Sequence, residues 1–434
     1  MIKTRSGQLG RSVSIVGIGV TPCGDVMEHE PIKYLTEGEL LAAATIDAVE
    51  DAGIEIKDID AYLVGSLGPQ YTSNEANIAA IWSKWLGMLG MPGLSHDECC
   101  STSNYGMQTA AMMVASGVHD VVLNTAVNIS QSYVPKGMPR LPQFAKRDGG
   151  NLGDPTEWTN EPNFVHPGKG GVMEALDDAI TLYARKYGYS RERVLEAFNA
   201  IHVMGRHQAL KNPLTLVRTE SYEEEAKKAG FDNAYDYLND PILNPRIGTI
   251  LRQRDINPMA DGAAATIIMP TEMAKKICDH PIEIAGFGAA NLWMSDWGGL
   301  PVEADQAAAQ QAYSMAGIAD PSREIDVLAL HDCSIGNWLT SSEDVGYFAP
   351  GEALEAAIAG DMAIDGSKPV NIHGGRQEFG HPLGPCNMYD MYEVIKQMRG
   401  QADEDRKMRK IPTTAAFQGY AAGFSYTMTV LRSL

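Results

Sequence analysis

Cys100 lies in the run His96-Asp97-Glu98-Cys99-Cys100-Ser101-Thr102-Ser103-Asn104, just ahead of a helix-like stretch over 105–117. A cysteine at the mouth of a helix meets free backbone N–H groups and the positive end of the helix dipole. Both favour the thiolate, which is the reactive form. Two distant histidines, His331 in Leu330-His-Asp-Cys333 and His381 in Gly380-His-Pro-Leu-Gly384, have the chemistry to complete a site around it. Such a set points to making or breaking bonds at an acyl carbon. Cys99 reads as a small buried hydrophobe as readily as a nucleophile. Cys333 and Cys386 read first as core residues, and His373 as a loop residue. Met107, Met112 and Met113 read as packing.

Elements along the chain must carry these residues to one place. The clearest organisational signal is an internal repeat. Residues 43–53 read Ala-Ala-Thr-Ile-Asp-Ala-Val-Glu-Asp-Ala-Gly, and 307–317 read Ala-Ala-Ala-Gln-Gln-Ala-Tyr-Ser-Met-Ala-Gly. An isoleucine follows each, and soon an Ile-Asp strand start, at Ile59-Asp60 and Ile325-Asp326. A strand-like segment ending in glycines precedes each copy, at 13–19 and 282–288. The repeat therefore predicts two strand–helix–strand units with small residues on the helix face. Chance similarity between alanine-rich helices is the competing explanation, and the matched order of elements weighs against it.

A duplicated α/β unit implies two similar halves, each a mixed sheet flanked by helices. The first half is placed at 1–130, resuming over about 256–279 with a strand at 263–269. The second is placed at 280–434. Between them, 131–255 differs in texture, with a polar loop at 134–172 and helices expected near 173–188, 190–212 and 220–239. It reads as an inserted cap. His331 follows the strand 326–330, and His381 lies in a glycine-rich turn before a helix at 385–399. Ligand sites in α/β sheets gather beyond the carboxyl ends of strands and at helix starts.

The 434 residues exceed what one hydrophobic core holds, and 44% apolar content with 21% charge describes a globular chain. A net charge of −20 argues against nucleic acid and against an anionic membrane surface. A polyanionic small ligand stays open. Arg185, Lys186, Arg191, Arg193, Arg206, Lys211, Arg218, Arg246, Arg252 and Arg254 form a candidate basic patch, or else a solvated helical surface. Six cysteines without a C-x-x-C pair make no disulfide framework and give little support to a structural zinc site. No signal-peptide core opens the sequence, and no apolar run approaches membrane-spanning length. The expectation is a cytoplasmic protein with free thiols.

Taken together, these segments resemble the thiolase superfamily, and most closely its sterol-carrier-protein-x and archaeal branch. The resemblance covers about residues 12–434. It rests on Glu98-Cys-Cys-Ser-Thr-Ser103, Arg206-His-Gln-Ala-Leu-Lys-Asn-Pro213, Ala260-Asp-Gly-Ala-Ala-Ala265, Leu330-His-Asp-Cys333, Val370-Asn-Ile-His-Gly-Gly375 and Gly380-His-Pro-Leu-Gly384. It implies a duplicated thiolase-like fold layered α/β/α/β/α with a helical insertion. By position it makes Cys100 the acyl-carrying nucleophile and His381 the base that takes its proton. His331 becomes part of the oxyanion hole for the second thioester. No bound cofactor or metal is implied; coenzyme A is a substrate, alongside acyl-CoA. A homodimeric core is implied.

Several positions depart from the family. Many thiolases carry a second reactive cysteine near the C-terminus, but 413–426 holds neither cysteine nor histidine, with Phe417 or Gln418 at about that position. Ser334 stands where the family has phenylalanine, and Pro385-Cys386-Asn387 replaces Ala-Thr-Gly. These changes are similar to those of the benzoylsuccinyl-CoA thiolase of anaerobic toluene degradation, whose branch works with a small zinc-ribbon and OB-fold partner protein. The resemblance thus implies cleavage of a 3-oxoacyl-CoA by free CoA, with Cys386 or His331 as candidate donors of the missing proton. A retro-aldolase of the steroid side-chain type on the same fold is one alternative. A non-catalytic scaffold for CoA thioesters is another.

Overall fold

A computed structural model describes residues 7–68, 75–129, 171–216, 219–291, 302–421 and 425–434. Nine strands are named in chain order. They are β1 (Val13–Val20), β2 (Ala61–Gly65), β3 (Gly93–His96), β4 (Val122–Asn128), β5 (Gly262–Pro270), β6 (Ile282–Asn291), β7 (Val327–Leu330), β8 (Thr414–Ala421) and β9 (Ser425–Ser433). Among the described residues they form one sheet in the order β3-β2-β4-β5-β1-β6-β9-β8-β7. That order runs outward in matching fashion from its centre. β1 and β6 sit back to back and share only two residue pairs, Ser14 with Glu283 and Ile15 with Ile282. Each then pairs antiparallel with the closing strand of its own half, β5 or β9. The outer pairs β2–β4 and β7–β8 are parallel.

The internal repeat has a steric cause. Helix α1 (Glu37–Ala52) opens on a capping box between Thr36 and Glu39 and stops at Gly53 in the left-handed conformation. It lies so close to β1 that a Cβ on Gly17 would come within 2.0 Å of the Ala48 carbonyl oxygen. In the second half, a Cβ on Gly286 of β6 would come within 2.3 Å of the Ala312 oxygen of the equivalent helix (Val302–Ala316). Only glycine on the strand and alanine on the helix allow this approach. Both strands also shift register at the same point, between Ile15 and Gly17 and between Ile284 and Gly286.

Two further helices fill the space between the halves: α2 (Thr102–Ala115) and a later helix over Cys386–Met398. Their apolar faces meet in a shared core. Met107, Ala110 and Val114 pack there with Met391, Val394 and Ile395, against Ile15 of β1, Ile284 of β6 and Phe417 of β8. Separate cores lie outside, one under α1 and one under the second-half helix. The layers are thus helix, first half of the sheet, helices, second half of the sheet, helix, in line with the expected fold. The middle layer positions the chemistry, because Cys100 and Cys386 stand at the starts of its two helices.

Boundaries differ in places from those expected. The helix expected over 220–239 is two, Tyr222–Ala229 and Ala234–Asn239, because Gly230 takes a left-handed φ of 85° and ends the first. Met107 is core, but Met112 is 49% exposed and does not pack as expected. The polar loop at 134–172 falls almost wholly outside the described residues. No helix among the described residues is long and apolar enough to cross a membrane.

Candidate active site

A sharp turn delivers Cys100. β3 ends at His96, and Cys99 adopts a left-handed φ of 52°, pinned by its N–H to Asp97 Oδ1 at 3.0 Å. The chain then enters α2 at Thr102. The free N–H groups expected around the thiol are largely spent. Ser101, Thr102 and Asn104 donate to carbonyls within the turn, and Ser103 donates to Gly384 O at 3.0 Å. The helix start therefore orients Cys100, and other groups set its ionisation.

Those groups come from the second half. His381 Nε2 lies 3.2 Å from Cys100 Sγ. The ring of His331 sits 4.8 Å, centroid to centroid, from that of His381. One ligand-type atom from each of Cys100, His331 and His381 falls within 4.8 Å of the others, and all three residues are buried. The structure thus brings the three expected residues together. It also adds one. The Cys333 thiol is the leading cause of a Cys100 pKa held well below the ordinary value. The Cys99 thiol acts in the same direction, burial opposes the shift, and the His381 and His331 rings reinforce it. Cys99, held well above its ordinary value first by its interaction with Cys100 and then by burial, keeps its proton. The nucleophile is therefore Cys100 rather than Cys99 on electrostatic grounds. Burial likewise keeps the Cys333 thiol protonated. Sequence alone reads Cys333 as core; its position two residues after His331, past the end of β7, is the signal that marks it.

The histidines are firmly held. His331 donates its backbone N–H to Gln418 Oε1 at 3.0 Å. Its Nδ1 faces Cys386 Sγ at 3.6 Å, while its Nε2 has no hydrogen-bond partner among the described residues. Burial lowers its pKa to about 4, so the ring is neutral and can donate one N–H. His381 rides on a loop that Asn128 ties down, its Oδ1 accepting from Leu67 N at 3.0 Å and Gly384 N at 2.9 Å. Behind the loop, Arg376 and Asp390 form a fully buried two-pronged ion pair, each contact 2.5 Å. Asp332 accepts from Arg376 N at 3.0 Å and from Trp338 Nε1 at 2.7 Å, which locks the same segment.

Neither candidate for the place of the missing second cysteine offers a side chain to the thiol. Phe417 is in the shared core. Gln418 is spent on His331 N and on Asp305 Oδ2 at 3.0 Å. β8 alternates its faces, so its residue facing the nucleophile turn is Gly419, whose Cβ would lie 2.9 Å from Ser101 Oγ.

The basic patch is mostly structural. Arg193 pairs with Glu355 and Glu196, Arg252 with Asp255, and Arg191 caps the Thr249 carbonyl. Arg218 lies outside the described residues. Arg206 pairs with Glu378 and Glu225, and Arg254 lies 3.7 Å from Glu225; both also line a cleft of about 590 Å³ with Asn257 and Pro258. Pro258 O accepts the backbone N–H of His381 at 2.9 Å, so the cleft reaches the edge of the site.

Comparison with known proteins agrees with this geometry. Residues 288–433 match the family described as thiolase C-terminal domain-like. An acetyl-CoA acetyltransferase of Methanothermobacter thermautotrophicus is 26% identical over 395 residues, covering 90% of this chain and 92% of that one. The benzoylsuccinyl-CoA thiolase subunit BbsB of Thauera aromatica is 24% identical over 403 residues, covering 91% of each. Among solved structures, an Ltp2-ChsH2(DUF35) aldolase aligns with a TM-score of 0.73 at 21% identity, over 98% of this chain and 99% of that one. Human mitochondrial 3-ketoacyl-CoA thiolase aligns at 0.68 and 14% identity, over 98% and 99%. With its duplicated layers, its Cys-His-His cluster and these relatives, the chain is similar over nearly its whole length to thiolases, the archaeal acetyl-CoA acetyltransferases among them, and its residues 288–433 match the thiolase C-terminal domain-like family.

Proposed function

We propose that the protein is a thiolase-type acyltransferase that cleaves a 3-oxoacyl-CoA with free CoA through an acyl group on Cys100. The observation that carries this is the 3.2 Å contact between Cys100 Sγ and His381 Nε2, with the His331 ring beside it. In this reading His381 takes the Cys100 proton, and the thiolate attacks the 3-keto carbon. The C2–C3 bond breaks, and the departing enolate oxygen is stabilised by the His331 N–H. The Cys333 thiol gives its proton to the enolate carbon. The thiol of incoming CoA returns a proton to Cys333 as it attacks the acyl group, and Cys100 leaves as the thiolate.

Substrate and assembly admit a finer reading. The likeness to BbsB, together with Ser334 and Pro385-Cys386-Asn387 near the second thioester, favours an aryl 3-oxoacyl-CoA of the benzoylsuccinyl type. The word "subunit" in that relative's name and the two-protein aldolase assembly favour a small partner protein, on a homodimeric core. We take the halves to be 1–130 with 256–279, and 280–434, around the cap 131–255, in a cytoplasmic protein that needs no cofactor besides its CoA substrate.

Intact-protein mass spectrometry after adding a 3-oxoacyl-CoA tests the central claim. The expected result is a single acyl adduct that disappears on adding CoA and never forms on Cys100→Ser. An adduct that forms and turns over on the serine variant overturns it. The likeness to an aldolase favours one second reading, carbon–carbon cleavage of a 3-hydroxyacyl-CoA. Release of an aldehyde or ketone without free CoA is its distinguishing outcome.

A further inference from the structure

The same cluster has a second chemistry. Cys100, His331 and His381 offer one sulfur and two nitrogens within 4.8 Å of one another, all buried. In a tetrahedral zinc site, with Zn–S about 2.3 Å and Zn–N about 2.0–2.1 Å, neighbouring ligand atoms lie roughly 3.3–3.8 Å apart. Cys100 Sγ and His381 Nε2 already stand at 3.2 Å. The remaining spread closes by about 1 Å, which side-chain rotation supplies without moving the backbone. His331 Nε2 has no hydrogen-bond partner among the described residues, and its other nitrogen is held by Cys386. A second partner that fixes the ring and leaves one nitrogen free is the arrangement of metal-ligating histidines. Among the described residues no carboxylate belongs to the cluster, so hard ions such as magnesium and calcium find no suitable ligand in it.

We infer that Cys100, His331 and His381 form a one-sulfur, two-nitrogen site, with a water molecule as fourth ligand, for a soft divalent ion such as zinc, which binds as an inhibitor and not as a resident cofactor. Binding displaces to solvent any proton on the Cys100 sulfur and occupies that sulfur, which would carry the acyl group. The metal-binding half stands on the geometry. The inhibition half rests on the acyl-transfer reading above.

Cobalt(II) titration of the full-length, chelator-treated protein tests it, because thiolate-to-cobalt charge transfer and tetrahedral ligand-field bands report the ligand set without any turnover. The expected result is one cobalt per chain with both bands. Apparent affinity should fall by about tenfold or more in Cys100→Ser and in His331→Ala, and stay within about twofold in Cys278→Ser, whose thiol lies elsewhere. Wild-type protein alkylated by iodoacetamide should lose the charge-transfer band, a check that needs no variant to fold. Zinc should displace the cobalt, and magnesium should not. Absence of the bands in wild type, or their persistence after alkylation, overturns the site. If the bands appear but no acyl-enzyme ever forms, the metal site stands and the acyl-transfer reading falls.

Discussion

Replacing Cys333 by alanine removes the leading thiol interaction that holds Cys100 ionised. A hydrogen bond to a charged group contributes about 1.5–3 kcal/mol. One pKa unit corresponds to about 1.4 kcal/mol, so the Cys100 pKa should rise by about one to two units. The Cys99 thiol, His381 and His331 still act on Cys100, so the shift stops short of complete reversal. The lost sulfur also leaves a small void, costing on the order of 1 kcal/mol of stability, too little to unfold the chain. Alkylation by iodoacetamide measures the effect, because its rate follows the thiolate fraction and its pH midpoint reports the pKa. The midpoint should move to higher pH in Cys333→Ala. It should stay in place in Cys386→Ala, whose thiol donates to the Cys100 backbone oxygen at 3.0 Å and not to its sulfur. An unmoved midpoint in Cys333→Ala, or a downward shift, refutes the assignment of Cys333 as the group that arms the nucleophile.

His331→Ala should slow acyl-enzyme formation from a 3-oxoacyl-CoA by about 10²–10³-fold, the usual effect of losing one oxyanion donor, as read by rapid-quench mass spectrometry. Asp344 is half-buried without an ion-pair partner among the described residues, and desolvation raises its pKa from 3.8 to about 7. A raised carboxyl supports the fold below its unfolded value and ceases to as pH climbs through its folded value. Asp344→Asn should therefore unfold at higher denaturant than wild type at pH 8, by up to about 4 kcal/mol, with the advantage gone near pH 4. Gly17→Ala places a Cβ 2.0 Å from the Ala48 oxygen and should cost about 3 kcal/mol or more in chemical denaturation. Gly7→Ala meets nothing within 4 Å and should leave the transition unmoved.

The parts of the fold legible in the sequence are those with a local steric signature. Gly17 and Gly286 against Ala48 and Ala312 write the repeat into composition, so the two strand–helix–strand units emerge with small boundary errors. Cys100, His331 and His381 are legible because each sits where a strand or turn hands over to a helix. What stays hidden depends on side-chain contacts between distant segments. Cys333 looks like core because its partner is far away in sequence. Asn128, which ties down the His381 loop, is one polar residue at a strand end with no local mark of its role. The basic stretch misleads in part, because Arg193 and Arg252 meet acids that folding brings near. Gly419 escapes notice because the register of β8 decides which residue faces the thiol.

The nucleophile and its base are 281 residues apart in the chain. A nascent chain exposes Cys100 long before Cys333, His331 and His381 have been made. Through most of synthesis it lacks Cys333, His381 and His331, which with Cys99 are the groups that lower its pKa. Its reactivity is switched on only when the second half packs against the middle helices, which is also when the sulfur becomes buried. Folding thus couples the arming of this sulfur to its burial, because the same second-half segments that lower its pKa also cover it.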